Sequence, residues 1–186
     1  MPEPARGEAA ALVALQSALA DRPGVLTAAR GLSHFGEHSI GWLAVSALGA
    51  LSQPRRWRAW MVAGAGALAA HATAVLIKRL VRRQRPQHPA IAVNVGTPSR
   101  LSFPSAHATS TTAAAMLLTR ATGMPLSAVL VPPMALSRML LGAHYPSDVA
   151  AGVAVGAAVA AITARVDGRL AGCPPCWRPR LRGKAG

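Results

Sequence analysis

The sequence predicts an all-α integral membrane protein, a polytopic bundle of five to six transmembrane helices with its polar chemistry at the membrane interface. Three observations predict it. The chain is 52% apolar and only 14% charged, and its charges stand in clusters between long uncharged runs. Gly123 to Ser137 and Val149 to Thr163 carry no charge, Trp60 to Ile77 has His71 as its sole titratable group, and Leu101 to Thr119 adds only His107. Small residues recur inside these runs, as Gly64, Ala65, Gly66 and Ala67 and again as Gly152, Gly156 and Ala160. Such residues let membrane helices approach closely. A soluble Ala-rich bundle would need a polar face on each helix, and these runs show almost none.

The elements follow in order. Crossing about 30 Å of hydrocarbon takes about 20 helical residues, which places spans near 39–53, 58–80, 103–120, 123–142 and 147–166. Residues Glu8 to Arg30 form either an interfacial amphipathic helix or a kinked sixth span, broken at Asp21-Arg22-Pro23. They lack the basic start of a signal peptide. The expected organisation is an N-terminal helix over 1–36, a membrane core over 37–168 and a basic tail over 169–186. One connection, Arg82 to Ser102, is long and punctuated by Pro86, Pro89, Gly96 and Pro98. A loop of that kind in a compact bundle points to function. Trp42, Trp57, Trp60 and Trp177 sit near expected span ends, where aromatic rings anchor at the interface.

The net charge is +14, from 20 Lys plus Arg against 6 Asp plus Glu. A nucleic-acid binder would spread such charge over a polar surface, and a disordered chain would be far less apolar. Two cysteines make no disulfide framework, and Cys173-Pro-Pro-Cys176 is half a zinc site without partner ligands. His34 and His38, before the first span, read as surface residues or as groups that titrate near the site, His88 as a headgroup contact in the long loop, and His71 as bonded to a neighbouring helix.

Three polar clusters remain. Asp148 is the only carboxylate between Glu37 and Asp167 and follows His144 by four residues. On a helix that spacing shares a face, so the carboxylate can orient the imidazole. The same position also suits a helix cap before Val149. Lys78, Arg79, Arg82, Arg83 and Arg85 lie within eight residues, and with Arg138 they make either a phosphate well or a headgroup patch. Pro104-Ser105-Ala106-His107 opens an apolar run with free backbone N–H groups, a ready anion site. His107 then faces that anion or is a satisfied interior histidine.

Lys78-x6-Arg85-Pro86, Pro104-Ser105-Ala106-His107 and Ser137-Arg138-x5-His144-x3-Asp148 together resemble the three-part signature of the type 2 phosphatidic acid phosphatase family, which also includes the vanadium haloperoxidases. Their internal spacings, order and separation all fit. Ala106 departs from the glycine usual there. The resemblance implies that Lys78, Arg85 and Arg138 bind phosphoryl oxygens, with Ser105 and the backbone at Ala106. It implies that His144 attacks phosphorus to form a phosphohistidine, that Asp148 orients His144, and that His107 protonates the leaving oxygen and then activates water. Phosphoryl transfer asks chiefly for positioning and charge neutralisation. Three cations supply that without a metal or cofactor, and no carboxylate cluster is present for Mg²⁺.

Thr97 to Thr112 and the compact size resemble small actinobacterial members of that family, among them phosphatases of a decaprenyl-linked 5-phosphoribose in cell-wall arabinan synthesis. Other expected substrates are polyprenyl diphosphate, phosphatidic acid and phosphatidylglycerol phosphate. A haloperoxidase is argued against by the spans, and a non-catalytic lipid-binding relative by the presence of His107, His144 and Asp148. The expected partners are a lipid-linked phosphate and membrane lipids, not nucleic acid. Basic residues at Arg55, Arg56, Arg58, Arg120 and in the tail put those segments in the cytoplasm and the motif loops outside.

Overall fold

A computed structural model describes residues 6–97 and 99–172. Cys173, Cys176, Trp177 and the rest of the basic tail lie outside the described residues, as does Pro98. The architecture is helical: α1 Gly7–Leu19, α2 Val25–Gly36, α3 Ile40–Ser52, α4 Trp57–Val81, α5 Ala106–Thr122, α6 Leu126–Leu140 and α7 Pro146–Leu170. Among the described residues the only β pairing is an isolated antiparallel bridge, Gln84 with Leu101, inside the long loop.

Local chemistry sets the ends. Ser105 caps α5, its hydroxyl accepting from the Ala108 N–H at 3.4 Å. Gly123 closes the same helix at φ 81°, a left-handed position that glycine takes without strain. Pro146 occupies the first turn of α7, where its missing N–H costs nothing. Asp148 completes a capping box there by accepting from the backbone N–H of Tyr145 at 2.9 Å.

Helix α5 is the axis of the bundle, packed by α4, α6 and α7. Ala108 to Ala115 is buried without interruption, so its hydroxyls can bond only inside, and Thr112 Oγ1 is left without a partner. Thr109 donates to the Ser105 carbonyl at 2.8 Å, and Trp42 donates to the Thr111 hydroxyl at 3.2 Å. Small residues set the helix spacing. A side chain on Gly66 would strike Leu117, one on Gly156 the Thr109 carbonyl, and one on Gly152 would come within 2.8 Å of the Ser105 carbonyl. The large aliphatics point the other way. Leu51 is 77% exposed and Leu80 83%, joined on the outer surface by Leu48, Leu76, Val129 and Ile162. Small residues inside and large apolar residues outside is the distribution of a bundle solvated by lipid.

Among the described residues two stretches are long and apolar enough to cross a membrane, Pro54–Val81 and Pro146–Leu170, with mean hydropathies of 1.6 and 1.9. Helices α3, α5 and α6 coincide with the other expected spans but have 13, 17 and 15 residues. The Ser/Thr content of α5 lowers its hydropathy because it faces protein on all sides.

The N-terminal stretch is two helices, separated at Ala20–Gly24, where Gly24 takes φ 79°. Both pack against the end of the bundle where α6 stops and α7 begins. Glu8 accepts from the Ser147 N–H at 2.8 Å, at the start of α7. Buried Gln16 donates to the carbonyls of Ala92 (2.7 Å) and Leu140 (2.9 Å) and accepts from the Ala92 N–H (3.0 Å). One glutamine thus ties α1 to the long loop and to the end of α6. Two of the expected interfacial tryptophans are core residues instead: Trp42 and Trp60 pack with Ala63, Ala67 and Leu117, and among the described tryptophans only Trp57 is exposed. Gly49 makes room for Trp60, since a Cβ there would overlap its indole.

Gly156→Val is expected to destabilise the folded protein by about 1–3 kcal/mol or more, because the collision is with backbone. Gly31→Ala, which meets nothing within 4 Å on α2, is expected to gain about 0.5–1 kcal/mol. Thermal unfolding in detergent, followed by near-ultraviolet circular dichroism, checks both.

Candidate active site

The motif end of the bundle holds a cavity of about 710 Å³. Lys78, Arg85, Arg138, His107, His144 and Ala106 all line it, brought there from α4, the long loop, α6, the start of α5 and the α6–α7 turn. The three cations are fixed by neutral oxygens. Lys78 Nζ donates to the carbonyls of Leu101 (3.2 Å) and Ser102 (3.1 Å). Arg85 donates through Nε to the Ser99 carbonyl and through Nη1 to the Ala143 carbonyl, both at 2.7 Å. Arg138 Nη1 donates to the Ser33 hydroxyl at 2.6 Å, and its buried Nε has no partner. Burial lowers the Arg85 pKa, the nearby Asp148 partly opposing it, and a guanidinium remains cationic.

His144 is 1% exposed. Arg85 Nη1 lies 3.2 Å from its Nε2. Since arginine only donates, Nε2 is the acceptor and the ring proton resides on Nδ1. That Nδ1 has no hydrogen bond and faces Asp148 Oδ2 at 3.8 Å. Burial first, and then the charges of Arg138, Arg85 and Lys78, hold this imidazole well below its ordinary pKa and therefore neutral.

The expected helical relation of His144 and Asp148 is corrected here. His144 precedes α7, which begins at Pro146. The pair meets because the chain turns into the helix, and Asp148 is both cap and neighbour of the imidazole. Ser105 is also placed differently from the expectation. Its side chain is fully buried and its hydroxyl caps α5, so Ala106 and not Ser105 reaches the cavity wall.

Four features escaped the sequence reading. Arg83 matches no motif position, yet it donates to Asp148 Oδ1 (2.9 Å), the Ser147 hydroxyl (2.6 Å) and Glu8 (2.6 Å), with its guanidinium 4.5 Å over the Tyr145 ring. It is the cation that pairs buried Asp148. Ser33 holds two groups at once, its hydroxyl taking Arg138 and its carbonyl taking His107 Nε2 at 3.0 Å. Arg30, Ser33 and His34, on one face of α2, line the cavity, as does Glu37 just past the helix end. His38 and His71 line it too, their ring centroids 5.8 Å apart. Only the helical spacing in α2 was a usable signal beforehand.

The fold and this site define a class. The sequence profile of the PAP2 superfamily matches residues 58–170, and the chain belongs to that superfamily. It is 77% identical over 148 residues to decaprenylphosphoryl-5-phosphoribose phosphatase of Mycobacterium tuberculosis, covering 80% of this chain and 84% of that one. It is 70% identical over 152 residues to the protein of the same name in Mycolicibacterium smegmatis, covering 82% and 84%. The fold matches a crystal structure of a transmembrane PAP2-type phosphatidylglycerolphosphate phosphatase from Bacillus subtilis, with TM-score 0.68, 19% identity and coverage of 92% and 88%.

Two outcomes follow. Arg83→Gln is expected to lower kcat about 10- to 100-fold by removing a charged hydrogen bond from Asp148, read as phosphate release. The His144 ring resonance in ¹³C-histidine-labelled protein, assigned by its loss in His144→Asn, is expected to keep its neutral position through pH 6.5. A midpoint at or above that pH would contradict the neutral imidazole.

Proposed function

We propose that this chain is a lipid phosphate phosphatase that removes the 5-phosphate of decaprenylphosphoryl-5-phosphoribose through a phosphohistidine. The observation that carries the chemistry is the convergence on one cavity of three cations held by neutral oxygens and two imidazoles of separate origin. The substrate rests on the names of relatives 70% and 77% identical.

Lys78, Arg85 and Arg138 neutralise the phosphoryl oxygens, with the backbone at Ala106 at the head of α5. His144 Nε2 attacks phosphorus, and Asp148 stabilises the positive charge that develops on the ring. The bond between phosphorus and the ribose O5 breaks, and His107, which enters this step as the imidazolium beside the phosphate dianion, gives O5 a proton. To do so its N–H exchanges the Ser33 carbonyl for the ester oxygen. His107, now neutral, takes a proton from water, whose oxygen displaces His144 and releases phosphate. The net reaction is monoester plus water to alcohol plus phosphate. The donors supply the neutralisation that the transition state requires.

In this reading α3 to α7 cross the membrane, giving five spans, and α1 and α2 lie along the interface over the site. The outward aliphatics support the crossing, and the contacts of Glu8 and Gln16 at a single end support the roof. Arg55, Arg56, Arg58 and Arg120 fall at the opposite end, which favours a cytoplasmic position there and an extracytoplasmic site.

The test is phosphate release by detergent-purified protein in EDTA, over polyprenylphosphoryl-5-phosphoribose, phosphatidic acid, undecaprenyl diphosphate and phosphatidylglycerol phosphate. Selective release from the ribose lipid is expected, and His144→Ala is expected to lose at least about 10⁴-fold in kcat. Wild-type rates in that variant would remove the nucleophile assignment. Preference for another lipid would remove the substrate, and activity lost in EDTA but restored by Mg²⁺ would remove the metal-free chemistry.

A further inference from the structure

One acidic group lies in this otherwise cationic cavity. Glu37 is the only carboxylate among its described lining residues, and its side chain is 47% exposed. His34, near the end of α2, has its Nδ1 3.8 Å from Glu37 Oε2, and the Arg138 guanidinium lies within reach of the same carboxylate's charge. A carboxylate beside a phosphate site repels the phosphate, so its presence there calls for a ligand group that it attracts.

The in-line geometry of phosphoryl transfer says where such a group lies. Attack by His144 Nε2 sends the leaving oxygen to the opposite side of phosphorus, next to the group that protonates it. His107 is bonded to the Ser33 carbonyl, and a Cβ added to Gly36 would meet its Cδ2 at 2.8 Å. The C-terminal end of α2 therefore packs on His107, and Glu37 is the next residue along. The corner that follows is held in an unusual conformation, with His38 at φ 48° and Ser39 at φ 62°. What is attached to the leaving oxygen must pass along this wall.

Building on the substrate reading above, we propose that Glu37 is the acceptor of a sugar subsite, its carboxylate receiving the two vicinal ribose hydroxyls. A furanose with ester links at C1 and C5 keeps free hydroxyls at C2 and C3. A carboxylate with two oxygens accepts from such a pair, and these charge-assisted bonds are strong. A diacylglycerol phosphate or a polyprenyl diphosphate offers no hydroxyl there and meets only the repulsion. Glu37 thereby selects a polyol between phosphate and lipid.

The experiment compares wild type and Glu37→Gln on polyprenylphosphoryl-5-phosphoribose, on its 2,3-di-O-methyl analogue and on phosphatidic acid. Wild type is expected to lose about 10- to 100-fold in kcat/KM on methylation, the effect of charged hydrogen bonds. Glu37→Gln is expected to lose a similar factor on the ribose lipid and to gain on phosphatidic acid. Its discrimination between free and methylated sugar collapses. Retention of full discrimination by Glu37→Gln overturns the subsite, and so does an equal loss on all three substrates, which marks a structural role. Release from phosphatidic acid with none from either ribose lipid in wild type removes the substrate reading itself and the subsite with it.

Discussion

Three cations that converge with no carboxylate hydrogen-bonded to them among the described residues are the constraint around which this molecule is built. Lys78, Arg85 and Arg138 repel one another in a buried setting, where charge interactions are poorly screened. The fold holds them with carbonyl and hydroxyl oxygens, which offer partial negative charge without neutralising the site. That explains the long loop. Its backbone supplies Ser99, Leu101 and Ser102 as acceptors, and Gln16 and the bridge between Gln84 and Leu101 keep it in register. A carboxylate in place of those oxygens would fill the well that phosphate is meant to fill.

Of the two carboxylates near the cations, Asp148 is turned away from them by a different partner. Asp148 spends one oxygen on Arg83 and the other on the Tyr145 amide, which leaves it facing His144 Nδ1 and not the phosphate well. Arg83 in turn is held by Glu8. The roof helix α1 is thus wired to the imidazole through two carboxylates and one guanidinium. Because Glu8 also caps α7 through the Ser147 amide, the same residue serves the helix start and the site.

Much of the architecture was legible because membrane helices write themselves in uncharged runs. The convergence of Lys78, Arg85, Arg138, His107 and His144 was legible as a motif although the residues come from five separate pieces of chain. What stayed hidden depends on tertiary contact. Arg83 looked like one more basic residue in a cluster, and only the folded chain shows that it pairs with Asp148 across 65 positions. Gln16 sits in a short apolar run, where nothing local tells that it is buried against a distant loop. Trp42 and Trp60 misled because position near a span end does not reveal which way a ring points. The i, i+4 relation of His144 and Asp148 suggested a shared helix face, whereas proline at 146 starts the helix too late for that.

The packing of α5 against glycine and alanine turns the usual map of mutational tolerance inside out. In a water-soluble bundle the outer positions accept almost any polar residue and the inner ones trade among large aliphatics. Here a side chain at Gly66, Gly152 or Gly156 collides with a neighbour, while outer Leu48, Leu76 and Ile162, in the membrane placement proposed above, are expected to exchange among themselves and to exclude charge. Drift in this lineage is therefore expected to run through swaps of one greasy residue for another on the outside, with an interior frozen at the smallest sizes the genetic code offers.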